Sequence, residues 1–381
     1  MNSDNRILVT GCRPIDDLLG GGIEGGVVTQ VYGEAGSGKT NLCIQTAVEC
    51  VRSGMQAADK AYSDLLKHLE TLDPDAGKAY LTDYAGSLGI RCENLFSGSD
   101  DSGHSVSSVP DSSVSGSSVP DSSVSGSSVR DSSVSGSSVQ ASSVSGSSVP
   151  DSSVSGSSVQ DSSVSDQDPA GLPGIRRSFS PAEEAVLSAV RRKLRADLVR
   201  KVVYIDTEGL SAARFRQIAG DDAREIAGQI VIFEPMDLDE QYTAIREIEN
   251  IAHLNIGLVI IDSATSFYRY ELDDDVSGMQ SRRELTNQIG FLHGLSRKYG
   301  FAALITNQVF SEIGAGTGDA LRNMTGSNIR AIGGRALEHI SKTILFLEKA
   351  GTGERKATIV KHRSKPEGDY CRFRITEHGL E

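Results

Sequence analysis

Apolar and polar positions follow two different rhythms along the chain. From Lys201 onward short β-branched runs predict strands at 202–206, 230–233, 257–262, 302–306, 343–347, 357–361 and 371–375. Between them, helical spacing predicts helices at 211–219, 239–254 and 279–299, the last with Leu285, Ile289, Leu292 and Leu295 on one face. This alternation means an α/β protein with a doubly wound, mostly parallel sheet, and the three closely spaced final strands predict an antiparallel or mixed edge. The first 54 residues keep the same rhythm. A short helix (Ile15 to Leu19) and glycine-rich turns lead to a strand, Val27–Tyr32, and then to a helix, Asn41–Arg52, with Ser53-Gly54 as its expected stop.

Residues 55–200 break that rhythm and read as an insertion between two halves of one core, 1–54 and 201–381. Residues 57–96 are expected to be mostly helical. Residues 103–168 repeat a ten-residue unit, Asp-Ser-Ser-Val-Ser-Gly-Ser-Ser-Val-Pro, whose two valines cannot offset the entropy of ordering, so disorder is expected there. Order returns at 178–200, where Ser180-Pro181-Ala182-Glu183 reads as a capping box. Leu187, Val190, Leu194 and Leu198 then form an apolar stripe beside Arg191, Arg192, Lys193 and Arg195. That basic face reads first as a solvated face of a helix packed on the earlier insert segment, and second as a contact for DNA or an acidic partner. In an open parallel sheet ligands bind at the carboxyl ends of the strands. The insertion joins a helix to the amino end of the next strand, which places it on the opposite edge.

Composition changes the picture in two places. The net charge of −13 is concentrated, because nine aspartates face one arginine between Ser99 and Gly171, so acidity does not exclude nucleic acid for the remainder. The five cysteines show no CxxC spacing, which argues against a disulfide framework or zinc site and for a reducing cytoplasm. No apolar run reaches the length of a membrane span, and the opening MNSDNR lacks a signal-peptide core.

The candidate chemistry starts at Gly33-Glu34-Ala35-Gly36-Ser37-Gly38-Lys39-Thr40, which fits GxxxxGK[ST] between a strand and a helix. Backbone N–H groups and a helix N-terminus, opened by Asn41, would cradle a polyphosphate. Lys39 would neutralise its outer phosphates and the Thr40 hydroxyl would ligate Mg²⁺. Asp262, ending the apolar strand Gly257–Ile261, would reach the same metal. Tyr204-Ile205-Asp206-Thr207-Glu208-Gly209 ends another strand, with Glu208 as the water-activating candidate and Asp206 as its structural neighbour. Gln308, after Thr306-Asn307, would sense the γ-phosphate through its amide.

These strand ends together resemble the RecA/RadA recombinase core. Gly11-Cys12-Arg13-Pro14-Ile15-Asp16, the GEAGSGKT loop, the segments ending at Gly209, Ser263 and Val309, and Ile332-Gly333-Gly334 fall in that family's order, as do Pro366-Glu367-Gly368 and Phe373–Leu380. The resemblance covers residues 6–54 and 201–381 and implies a RecA-like P-loop ATPase core using ATP and Mg²⁺. Within the family the chain is most similar to the RadB group, the euryarchaeal RadA paralogues. Few residues precede Gly11, residues 1–10 hold no phenylalanine that could anchor a neighbouring subunit, and Lys361-His362-Arg363 stands where RadA is acidic.

The resemblance assigns roles. Lys39 and Thr40 match the Walker A lysine and metal-binding threonine, Asp262 the Walker B aspartate, Glu208 the catalytic glutamate and Gln308 the sensor. Arg214 is placed near the adenine. Residues 264–283 and 310–333 match two DNA-facing loops, with Arg269, Arg282, Arg283, Arg322 and Arg330 as cations and Asp273 to Asp275 opposing DNA. Lys361 and Arg363 align where RecA carries lysines near a neighbour's γ-phosphate, and with His362 they are expected at DNA instead. The implied function is an accessory protein of homologous recombination and DNA repair, with weak ATPase activity and no strand exchange of its own. Its implied partners are single-stranded or branched DNA, the RadA recombinase and a Holliday-junction resolvase, with no membrane. A filament-forming recombinase and a KaiC-like regulatory ATPase acting on proteins remain the alternatives.

Overall fold

The computed structural model describes residues 7–92, 177–268, 275–311, 329–331 and 334–381. The expected disorder of the decapeptide repeat therefore lies outside the described residues. A nine-stranded sheet organises the rest. In chain order its strands are β3 (Val28–Gly33), β4 (Lys201–Asp206), β5 (Ile230–Phe233), β6 (Ile256–Asp262), β7 (Ala302–Asn307), β10 (Thr343–Lys349), β11 (Glu354–Lys361), β12 (Tyr370–Thr376) and β13 (Gly379–Leu380). Two small ribbons stand apart, β1 (Ile7–Leu8) with β2 (Ile23–Glu24) and β8 (Val309–Ser311) with β9 (Ile329–Ala331).

The order across the sheet is β13-β12-β11-β10-β3-β7-β6-β4-β5. Pairing is parallel from β10 through β3, β7, β6 and β4 to β5, and antiparallel among β10, β11, β12 and β13. The expected mixed C-terminal edge is thus present. The central strands are buried on both faces, which is why β6 reads as an unbroken apolar run, Ile256–Ile261.

Alternate strand residues feed two cores. On one face Val202, Tyr204, Leu258, Ile260 and Leu304 pack against helices α1 (Arg13–Leu19) and α2 (Lys39–Thr71). On the other Val203, Ile205, Val259, Ile261 and Ile305 pack against α7 (Leu238–Ile251) and α8 (Asp275–Tyr299). Three short helices complete the set, α5 (Ala212–Ala219), α6 (Ala223–Ala227) and α9 (Gly334–Ile340). The two insert helices are α3 (Pro74–Ser87) and α4 (Pro181–Leu198).

The structure corrects the expected stop at Ser53-Gly54, because α2 runs unbroken for 33 residues. At ~1.5 Å per residue it extends ~50 Å, well beyond the sheet. Gly54 serves a close approach instead: a Cβ there would lie 2.6 Å from the Leu198 carbonyl oxygen and 2.8 Å from the Val199 Cα. Beyond it the far half of α2 packs with α3 and α4 around Leu65, Leu66, Leu69, Leu81, Val186, Leu187, Val190 and Leu194, a separate apolar cluster. Leu198 ends that stripe partly exposed. Three of the four cations on the basic face of α4 are engaged within the chain, and Arg192 is exposed. Arg195 bridges Asp59 and Glu225, Lys193 pairs with Asp197 at 2.6 Å, and Arg191 lies over Tyr62. No helix among the described residues is long and apolar enough to cross a membrane.

Candidate nucleotide-binding site

The carboxyl ends of β3, β6, β4 and β7 meet at one rim of the sheet, and the loop Gly33–Lys39 forms its centre. Gly33 is required by crowding, since a Cβ would fall 2.1 Å from the Leu347 carbonyl oxygen of neighbouring β10. Gly36 and Gly38 take φ of 75° and 106°, a region that L-residues rarely enter, so only glycine lets the loop turn its N–H groups inward before α2 begins at Lys39. The β10–β11 hairpin braces the loop from outside, with Arg355 Nε donating to the Gly36 carbonyl at 3.0 Å.

Within this cradle the Lys39 ammonium donates to the carbonyls of Gly33 at 2.9 Å and Glu34 at 3.1 Å. Burial pushes its pKa below the usual lysine value, while Glu208 and Asp262 act in the opposite sense. The buried Ser37 hydroxyl has no partner among the described residues. A phosphate group fits both observations: it accepts from a desolvated ammonium and from a hydroxyl that nothing else satisfies.

Asp262 lies at the end of β6, buried, and its pKa is raised by burial against three hydrogen bonds that lower it. Tyr204 Oη donates to it at 2.9 Å, Thr306 Oγ1 at 2.5 Å, and the Thr40 hydroxyl also donates. The Thr40 hydroxyl and the Asp262 carboxylate thus bring two hard oxygen donors together. Mg²⁺ as a rule takes one or two carboxylate-type ligands and completes its shell with phosphate and water, so this sparse set fits it.

Asp206 is a shaping residue. Its carboxylate accepts the backbone N–H groups of Glu208 at 3.2 Å, Gly209 at 2.9 Å and Leu210 at 2.5 Å, folding the loop so that Glu208 projects into solvent. There Glu208 Oε1 accepts from Gln308 Nε2 at 2.6 Å, and the Ser266 hydroxyl stands 3.5 Å away. A second tier of hydroxyls sets this pair. Thr207 Oγ1 reaches Ser266 at 2.8 Å, and Thr265 Oγ1 donates to Asn307 at 2.8 Å while accepting from the Gln308 backbone N–H at 3.3 Å. Tyr204, Thr306, Thr265 and Ser266 were not singled out from the sequence. The available signal was a polar residue inside or next to an otherwise apolar central strand, as with Thr306 in Ala302–Asn307.

The remaining expected site residues have these surroundings. Arg214 is bound to its own chain, donating to Asn41 Oδ1 at 2.5 Å and to the carbonyls of Thr376 and Glu377 at 2.9 and 2.8 Å. It ties α5 and the β12–β13 turn to the start of α2. Lys361 caps the end of α9, donating to the Glu338 and Ser341 carbonyls at 2.5 and 2.8 Å. His362 Nδ1 accepts the backbone N–H groups of Ser364 and Lys365, and Arg363 pairs with Glu24 at 3.1 Å. Arg282 donates to Tyr268 Oη at 2.5 Å, and Arg283 is exposed on α8. Arg330 sits in β9 opposite Phe310. Arg269 and Arg322 lie outside the described residues, as do Asp273 and Asp274.

Comparison with known proteins places this arrangement. The Rad51 family model matches residues 3–60 and 195–381. The DNA repair and recombination protein RadB of Methanococcoides burtonii is 35% identical over 373 residues, covering 98% of this chain and 96% of the relative, so the alignment runs through the insertion. RadB of Archaeoglobus fulgidus is 43% identical over 182 residues, 48% of this chain and 76% of the relative. A crystal structure of the RadB recombinase superposes with a TM-score of 0.50 at 22% identity, covering 98% of this chain and 99% of that one, a likeness of fold. The class is a RecA-like α/β protein, and the chain belongs to the Rad51 family. Within it the chain is a RadB-type recombinase paralogue.

Proposed function

We propose that this chain is an ATP- and DNA-binding accessory protein of homologous recombination and DNA repair, in which Mg·ATP binding is the switch and hydrolysis is slow. A recombination and repair role follows from its RadB relatives. The finer reading is carried by one observation, the 2.6 Å bond from Gln308 to Glu208. It joins the residue suited to activating water to the one that leads directly into β8, the stem of the second candidate DNA loop.

In this reading Lys39 exchanges the Gly33 and Glu34 carbonyls for phosphate oxygens, and Ser37 gains its missing partner. Thr40 and Asp262 hold Mg²⁺. A bound Mg²⁺ supplies charge neutralisation across the phosphates being separated. Glu208 orients and deprotonates the attacking water, and Gln308 must loosen from it to follow the γ-phosphate. Gln308 occupies the Glu208 oxygen that would hold the attacking water, which favours slow turnover. DNA would contact Arg269, Arg282, Arg322 and Arg330. Lys361, His362 and Arg363, engaged within the chain, are read as bracing the β11 end and become available to DNA only by exchanging those bonds. The RadA recombinase and a Holliday-junction resolvase are the protein partners of this reading.

Glu208→Gln tests it. Hydrolysis should fall by roughly 10²- to 10⁴-fold while the Kd for Mg·ATP, measured by calorimetry, stays within about threefold. Strand exchange by the chain alone would instead indicate a filament-forming recombinase. ATP turnover without any salt-dependent DNA binding would indicate a regulatory ATPase of the KaiC kind.

A further inference from the structure

The antiparallel register of β11 and β12 puts Glu354 opposite Arg374, Lys356 opposite Arg372 and Thr358 opposite Tyr370. These residues share one face, because the alternate positions Ala357, Ile359 and Phe373 are buried in the core. On this face the β12 side chains stand in solvent, Arg374 71% exposed, Arg372 60% and Tyr370 57%, while Thr358 of β11 is buried.

The charges there do not cancel. Glu354 divides its carboxylate between the two arginines, one oxygen 3.3 Å from Arg372 and the other 3.5 Å from Arg374, so one carboxylate faces two guanidiniums. Lys356 pairs with Glu348 at 2.8 Å, and its ammonium also lies 4.9 Å from the centre of the Tyr370 ring. Lys349 and Arg355 belong to the alternate face, near Gly36, and Asp17 and Asp369 line a recess beside Tyr370 at the other end of the row. The buried hydroxyl of Thr358, paired with Tyr370 in the register, has no partner among the described residues.

From this juxtaposition we infer that the outward face of β11–β12 binds single-stranded DNA, with Arg372 and Arg374 on successive phosphates and a base stacked on Tyr370. The inference rests on the DNA-binding reading proposed above and adds a surface separate from the two loops. Same-face residues two apart along a strand stand ~6.7 Å apart, so the two guanidiniums and the ring form a regular row. Cations beside an exposed aromatic on a sheet suit a strand whose bases are free to stack. An acidic protein segment would use the cations and leave the ring idle, so Tyr370 separates the two.

The full chain should be titrated with fluorescent oligothymidine at two salt concentrations. Arg372→Gln combined with Arg374→Gln should weaken binding about tenfold or more and reduce the salt slope by about 1.4, the change expected when two phosphates are no longer neutralised. Tyr370→Leu should weaken binding roughly fivefold or more with the slope unchanged. Glu354→Gln, which frees both arginines, should tighten it. All should hydrolyse ATP at the parent rate. Parent binding that survives the double substitution overturns this surface alone, whereas a parent that ignores DNA at low salt overturns the DNA-binding reading with it. Loss in the double variant, no loss in Tyr370→Leu and equal competition by polyglutamate would assign the face to an acidic protein instead.

Discussion

The two ends of α2 live in different chemistry. At its start Lys39, Thr40 and Asn41 face a rim of carbonyls, carboxylates and amides, and almost every interaction is polar and directional. At its far end Leu65, Leu66 and Leu69 face Leu81, Val186, Leu187 and Val190, and the packing is apolar. Arg177 brings polar order there, donating to the Leu69 carbonyl at 2.9 Å and to Glu183 at 2.8 Å. A rigid helix can therefore serve one region that must rearrange around a ligand and another that must not. Each region should accordingly be open to perturbation without the other.

The largest effect is expected at the polar end. Lys39→Ala removes a buried, hydrogen-bonded cation from the candidate phosphate site and should cost about 2–5 kcal/mol of Mg·ATP affinity, a loss of roughly 30-fold to several thousandfold. Calorimetric titration reads this, and hydrogen exchange in α3 and α4 should be unchanged. Next is Leu69→Ala, fully buried at the apolar end. It should destabilise the three-helix layer by about 2–5 kcal/mol, seen as faster exchange in α3 and α4 with Mg·ATP affinity kept within about twofold. Loss of nucleotide binding in that variant would break the comparison, since it would mean that the layer supports the site.

Acid should also act on the apolar end. Burial raises the pKa of Glu183, but the Ser180 N–H at 2.8 Å, the Ser180 hydroxyl and the Arg177 guanidinium outweigh it, so the net shift is downward. A depressed carboxyl pKa contributes stability that is present above the ordinary value of 4.5 and lost as pH falls through the folded value. Glu183→Gln should cost about 1.5–3 kcal/mol near neutral pH and flatten the acid limb of the melting profile of the layer.

Much of this division was legible in the sequence. The strand-loop-helix motif placed Gly33–Thr40 between β3 and α2, the apolar runs marked the central strands, and Ser180–Glu183 marked the start of α4. Local rules suffice where a motif constrains its own backbone. They failed at Gly54, where a glycine looks like a helix stop but answers to Leu198 and Val199, 144 residues and more along the chain. Nor do they reveal the intrachain partners of Lys361 and Arg363, because Glu338, Ser341 and Glu24 come together only in the fold. Which hydroxyls steady Glu208 was hidden for the same reason. Thr207 and Ser266 are distant in sequence and meet only because β4 and β6 are neighbours.

The sharpest test of separability lies at the joint between the two regions. Gly54 sits in α2 where the returning chain, Leu198–Arg200, crosses it. Alanine there would gain about 1 kcal/mol of helix propensity. Its Cβ would also press on backbone atoms 2.6 and 2.8 Å away, and backbone cannot swing aside as a side chain can. Overpacking of that kind costs about 1–3 kcal/mol, so Gly54→Ala should destabilise by about 0–2 kcal/mol net. The small number conceals where the strain goes. If α4 yields, exchange rises in the layer and Mg·ATP affinity holds. If α2 yields instead, the helix shifts along its axis, Lys39 moves against Gly33, and nucleotide affinity falls with little change in the layer. The core of Val48, Val51 and Cys50 beneath the sheet is fully buried and holds α2 on the nucleotide side, so the first outcome is expected.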